Sequence, residues 1–195
     1  GIDTNYFHPS NKKIIDKYIF LPSRISSWKG HDLLLKYFSL LDKKYKDSFK
    51  IHLISLSKSK EEKKIDQLIN KLRLSENITI SKPTLNINKL YQGAYLVVNI
   101  SKRPEGFGRT ISEALSSAVP TIAPNQGGTK EQLNNFDKNL LFNVHSHKSF
   151  QRALRYALKN YRLIKKKGRP YVKKNYSSNM MCKKTLKIYN HIVNQ

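Results

Sequence analysis

Acidic residues are scarce in this 195-residue chain, where 13 Asp+Glu stand against 37 Lys+Arg and leave a net charge of +24 at pH 7. A field of that sign favours polyanions, anionic membranes or anionic small ligands. It is equally what a solvated, lysine-rich surface produces, so charge alone leaves both readings open. Cysteine is nearly absent. The single Cys182 excludes an intramolecular disulfide and a multi-cysteine metal cluster, fits a reducing compartment, and reads as a packing residue. No apolar run approaches the length of a membrane span, and the opening GIDTNYFHPS lacks the charged-then-apolar order of a secretion signal.

What is present is an alternation of strand and helix patterns within one domain's length. Lys17 to Leu21 reads as a buried strand closed by Pro22, and the next stretch places Leu34, Tyr37, Phe38 and Leu41 on one helical face. Phe49 to Leu56 is a second strand, and Glu61 to Leu72 a helix with Ile65, Leu68 and Ile69 inward. A short strand follows at Asn77 to Ser81, then a helical turn at Ile87 to Tyr91. Tyr95 to Ile100 is apolar throughout, as in strands covered on both faces of a parallel sheet. Thr121 to Ala123 and Leu140 to Phe142 read as further strands. Ser149 to Lys167 is helical until Gly168 and Pro170 break it, and an amphipathic helix starts at Ser177. The pattern predicts an α/β domain with a Rossmann-like, mainly parallel sheet flanked by helices.

The segment from Lys102 to Glu131 draws the chemistry. Glu105 and Glu113 flank Gly106-Phe107-Gly108, and Ile111, Ala114, Leu115 and Ala118 form one helical face. The helix is expected to begin near Thr110, with Glu105 in the loop before it, Glu113 in its first turn, and a glycine loop at Asn125 to Gly128. A helix N-terminus offers free N–H groups and partial positive charge, which suit a phosphate. Ionised carboxylates accept hydrogen bonds from sugar hydroxyls. Together these point to a phosphorylated sugar, whereas the plainer reading has Glu113 complementing the helix dipole and Glu105 solvated. Arg24 and Lys29 follow the first strand, at the edge where open α/β sheets bind ligands, and could reach a phosphate. Otherwise they are two more surface cations.

Glu105, seven residues, then Glu113, with Phe107-Gly108 between and Gly127-Gly128-x-x-Glu131 beyond, resembles the signature of family-four retaining glycosyltransferases of the GT-B fold. The resemblance extends over nearly the whole chain and implies the donor-binding C-terminal domain of such an enzyme. In that family an Arg and a Lys in the pattern R-x-x-x-x-K-G, here Arg24 and Lys29, contact the donor diphosphate. By the same resemblance Glu105 would join them in catalysis, and Gly106, Phe107, Gly108, Arg109 and Thr110 would hold the donor. Glu113 would take the ribose diol and Lys82 would border the nucleobase. The chain departs from the family at Ser23 and Ala118, where glycine is usual.

The resemblance implies no cofactor, the nucleotide-diphosphate sugar being a substrate. It also implies no metal, in agreement with the lack of an Asp-x-Asp pair and the isolation of His145 and His147 from other ligand types. The opening Gly-Ile-Asp with Phe7 and Pro9 is similar to the start of the family's C-terminal domain. We therefore expect a fragment comprising a domain at 1–176 and a helix at 177–195 that packs toward an acceptor-binding N-terminal domain. Such an enzyme would work in the cytoplasm, building polysaccharide, lipopolysaccharide or capsule. The six cations between Lys165 and Lys174 either solvate a helix end or touch anionic lipid at the inner membrane face. Two other classes remain: a polyanion-binding module and a non-catalytic glycosyltransferase-like subunit. No nucleic acid is expected as partner, since no helix-turn-helix, zinc finger or aromatic platform is evident.

Overall fold

The computed structural model describes residues 1–11, 14, 16–55 and 59–194. Its apolar runs form six strands: β1 (Tyr18–Arg24), β2 (Lys50–Ile54), β3 (Ile78–Ser81), β4 (Leu96–Val98), β5 (Thr121–Pro124) and β6 (Leu141–Phe142). They pair in the order β3-β2-β1-β4-β5-β6, and every pairing is parallel. Parallel neighbours require crossovers, which the helices supply. Between strands these are α1 (His31–Ser39), α2 (Lys43–Ser48), α3 (Lys60–Lys71), α4 (Ile87–Gly93), α5 (Arg109–Ser116) and α6 (Gly127–Phe136), and α7 (His147–Lys159), α8 (Tyr161–Asn175) and α9 (Ser178–Val193) follow β6. Sequence order reverses between β1 and β4. The loops leaving these two strands therefore lie side by side at the carboxyl edge of the sheet, the place where open α/β sheets bind ligands.

The core explains why the strands are legible. Leu96, Val97 and Val98 are wholly buried, as are Ile19 and Phe20 of β1 and Ile51 and Leu53 of β2. Leu34, Tyr37 and Phe38 of α1 are buried from one side, and Ile65 and Ile69 of α3 from another, as the helical spacing predicts. The α3 start is closed by a capping box in which the Ser59 hydroxyl accepts from the Glu62 N–H and Glu62 accepts from the Ser59 N–H.

Several expected boundaries move. β1 does not stop at Pro22 but runs on to Arg24 through a register shift between Leu21 and Arg24. Proline cannot donate to the ladder, and the strand bulges rather than ends. The expected strand at Phe49 to Leu56 is Lys50–Ile54, with Leu56 outside the described residues. The glycine loop at Asn125 to Gly128 is instead cut short by α6, whose first two residues are Gly127 and Gly128. Gly168 and Pro170 lie within α8, and the break falls at Asn160. Burial of Ile164 and Val172 holds α8 through the proline. A Cβ on Gly168 would stand 3.1 Å from Leu115, so that glycine serves the close approach of α8 to α5.

Candidate functional site

Three chain crossings meet at the reversal point: the β1–α1 loop, the β4–α5 loop and the β5–α6 turn. The first two are laced together. The Lys102 N–H donates to the Trp28 carbonyl at 2.7 Å, Lys102 pairs with Asp32 at 2.8 Å, and Lys29 pairs with Glu105 at 2.7 Å. The turn before α6 joins through Gln126, whose amide donates to the Ser101 carbonyl at 2.9 Å, and through the Gly128 N–H, which donates to the Glu105 carbonyl at 2.8 Å. Glycine is required at this junction. Gly127 has φ +53, and a Cβ on Gly128 would come within 2.6 Å of the Gly106 and Phe107 backbone. The glycines permit α6 to seat against the loop, a closer partner than any ligand.

Glu105 lies at the centre. Burial opposes its ionisation, but hydrogen bonds from Lys29 and Ser101, the Lys29 charge and a contribution from Asn99 outweigh it and hold the carboxyl below its ordinary value. Ser101 donates to the same oxygen that Lys29 contacts. The Lys29 ammonium also sits 4.2 Å over the Trp28 ring, which restrains the lysine. Asn99 links the end of β4 to α5 by donating to the Thr110 hydroxyl at 3.1 Å.

Glu113 is separate from this pair. Helix α5 starts at Arg109, one residue earlier than expected, so Glu113 is its fifth residue and lies past the first turn. One carboxylate oxygen accepts from the buried Tyr91 hydroxyl at 2.6 Å, and the other lies 3.3 Å from Arg109 Nε. Burial first, and then the Glu113 charge, push the Tyr91 phenol well above its ordinary range, so it stays a donor. Gln132 of α6 braces the glycine loop, donating to the Phe107 and Gly108 carbonyls while accepting from Ser112. Phe107 itself lies edge-on to Tyr176 at 5.6 Å. Gly108 caps α5 with φ +75, and Gly106 is open to solvent with nothing within 4 Å of where a Cβ would point.

Arg24 is exposed at the end of β1 and has no ion-pair partner among the described residues. Lys82 is exposed beyond β3, on the same edge of the sheet but two strands from β1, roughly 10 Å away at ordinary strand spacing. Glu131 is exposed on α6. Within the β1–α1 segment, Ser23 Oγ, Ser26 Oγ and His31 Nδ1 are buried without a hydrogen-bond partner among the described residues. His31 Nε2 lies 3.2 Å from the Ser23 carbonyl, and burial lowers the imidazole to about 4, leaving it neutral at pH 7. Ala118 stands at φ +55, so its methyl is a local backbone strain rather than added packing. Among the described residues no group of three or more His, Cys, Asp or Glu is placed to hold a metal ion, and no helix is long and apolar enough to cross a membrane.

The sequence singles out Lys29, Glu105 and Glu113 but not the residues packed and hydrogen-bonded around them: Asn99, Ser101, Tyr91, Gln126 and Gln132. Asn99 and Ser101 carry a signal in hindsight, as polar residues closing an otherwise apolar buried strand. The three glutamine and tyrosine contacts arise only when distant segments meet.

The profile of the family described as glycosyl transferases group 1 matches residues 3–175. A probable sucrose-phosphate synthase from Thermosipho melanesiensis is 26% identical over 96% of this chain and 45% of its own length. A solved glycosyltransferase from Rickettsia africae ESF-5 is 27% identical and superposes with a TM-score of 0.86 over 99% of this chain and 56% of its own. The structure of Anabaena HepE in complex with UDP and glucose shares the fold at a TM-score of 0.84 and 18% identity, over 97% of this chain and 55% of that one. The chain spans between 32% and 45% of the length of the curated relatives it matches. With a family profile matching most of its length and a six-stranded parallel sheet like those of GT-B neighbours, this chain belongs to the glycosyl transferases group 1 family.

Proposed function

We propose that this chain is the donor-binding half of a metal-independent, retaining glycosyltransferase that moves a hexosyl group from a nucleotide-diphosphate sugar to a glycan or lipid-linked acceptor. The observation that carries the reading is the Lys29–Glu105 pair, a cation and a depressed carboxylate 2.7 Å apart at the strand-order reversal. The cation suits a diphosphate, and the carboxylate suits the hydroxyls of the sugar attached to it. The buried Ser23 and Ser26 hydroxyls in the adjoining loop, which have no acceptor among the described residues, add two donors. Anabaena HepE, which shares the fold, has been crystallised with UDP and glucose.

In the proposed reaction the bond from the anomeric carbon to the diphosphate oxygen breaks, and the acceptor oxygen bonds to that carbon on the same face. The acceptor proton passes to the departing phosphate. Lys29, Arg24 and the N–H groups at the start of α5 neutralise the leaving charge. Glu105 and the Gly106 to Gly108 backbone hold sugar hydroxyls, Glu113 takes the ribose diol, and Lys82 borders the base. Acceptor and any general base come from an N-terminal domain toward which α9 packs, and closure of the two halves excludes water.

Calorimetric titration with a panel of nucleoside diphosphates and their sugar conjugates tests the reading. One nucleotide series is expected to saturate a single site. Absence of binding across the panel would remove the donor-site assignment.

A further inference from the structure

The charge excess is not spread evenly along the chain. All 13 acidic residues lie at or before Asp137, while 15 of the 37 cationic residues follow it, so helices α7, α8 and α9 contain no acid at all. Among the described residues, Arg155 alone of those fifteen has a carboxylate partner, Asp42 at 3.2 Å. The densest part is α8. Ile164, Gly168 and Val172, one turn apart, are buried toward α5, and Arg162, Lys166 and Lys173 project from the opposite, exposed side. Leu163, 46% exposed, and exposed Pro170 sit among them on that outer face.

We propose that the outer face of α8 docks on an anionic lipid bilayer. Like-charged side chains at successive turns repel one another, a cost that persists without an anionic partner. A row of cations along a convex helix, with an aliphatic side chain among them, matches headgroups that are negative at the surface with apolar depth beneath. A nucleic acid would take the cations but offers nothing to Leu163, and the outer face carries no aromatic ring on which a base could stack. The docking face points away from the candidate active site, because the opposite side of the helix packs on α5. The surface is therefore free to bind while the site is occupied.

The test is co-sedimentation of the protein with vesicles of phosphatidylcholine alone and with about one third phosphatidylglycerol, at low and at physiological salt. Each cation near such a surface contributes roughly fivefold in affinity. Lys166→Glu with Lys173→Glu should therefore cut binding to anionic vesicles by about 30-fold or more, and Leu163→Ser should weaken it severalfold. Lys63→Glu with Lys64→Glu on α3, equal in net charge, should change it by less than about threefold. Nucleotide binding by the α8 variant reports that the fold is intact. Equal losses from the α3 and α8 pairs would overturn the assignment in favour of net charge. Equal binding to neutral vesicles, no vesicle binding, or α8-dependent capture of single-stranded DNA without vesicle binding would each overturn it as well.

Discussion

Ala118 shows how one departure from a family pattern acquires a physical meaning. It occupies the left-handed position just past α5, with its N–H donating to the Leu115 carbonyl and the Val119 N–H to the Ala114 carbonyl, the paired bonds of a Schellman cap. Arg73 takes the same place after α3, at φ +55 with matching bonds to Asn70 and from Leu74 to Ile69. A Cβ in this conformation costs roughly 1–2 kcal/mol, and glycine gives part of that back as chain entropy. Ala118→Gly should thus raise stability in urea unfolding by about 1 kcal/mol, and a neutral or destabilising result would mean the strain is relieved elsewhere. His31 gives a pH prediction. Burial lowers its folded value from the ordinary 6.5 to about 4, so the unfolded chain binds the extra proton between those limits. Stability therefore falls as pH drops from 6.5 to 4, by on the order of 3 kcal/mol from this group. His31→Leu should flatten that stretch of the pH–stability curve, even if it lowers the curve as a whole. The residues most legible in sequence were those whose type is rare in this chain, Glu105 and Glu113. Those least legible, Gln132 and Tyr91, act through contacts between segments far apart in sequence.

At the scale of elements, glycine was the main source of error, and for one reason. Gly127, Gly128 and Gly168 look like breakers, but Gly127 and Gly128 open α6 where the Glu105 to Phe107 backbone leaves no room for a Cβ, and Gly168 lies within α8 where a Cβ would press on Leu115 at 3.1 Å. Sequence periodicity cannot tell a glycine that ends a helix from one that seats it. Strands of continuous apolar residues were legible because both faces are covered, and the helices because only one side is. Gly168→Val tests the seating directly, since its Cβ would meet Leu115 at 3.1 Å and branching there leaves nowhere to shift. The expected loss is about 1–3 kcal/mol by chemical denaturation. No loss would mean that α8 and α5 can part without cost.

Across the whole molecule, the strand order β3-β2-β1-β4-β5-β6 does what no single residue can: it places the loops after β1 and β4 side by side. Arg24 and Lys29 precede Glu105 by more than 75 residues, and only this topology brings Lys29 and Glu105 to 2.7 Å. The alternation of elements made the parallel sheet legible, and the resemblance of the glutamate pair drew attention to the loop that follows β4 at the strand-order reversal. The lacing of its loops was not legible, because its main-chain bonds, such as that from the Lys102 N–H to the Trp28 carbonyl, are open to any residue type, and its side-chain contacts join segments far apart in sequence. If Lys29 serves the diphosphate and Glu105 the sugar, calorimetry on Lys29→Ala and Glu105→Gln with a nucleoside diphosphate and with its sugar conjugate separates the two roles. Lys29→Ala should weaken both ligands by about 1.5–3 kcal/mol, the value of a hydrogen bond to a charged group. Glu105→Gln should weaken only the sugar conjugate, and leave the diphosphate unchanged or tighter because Lys29 is released. Equal weakening of both ligands by Glu105→Gln, or no effect of either substitution, would contradict that division of roles.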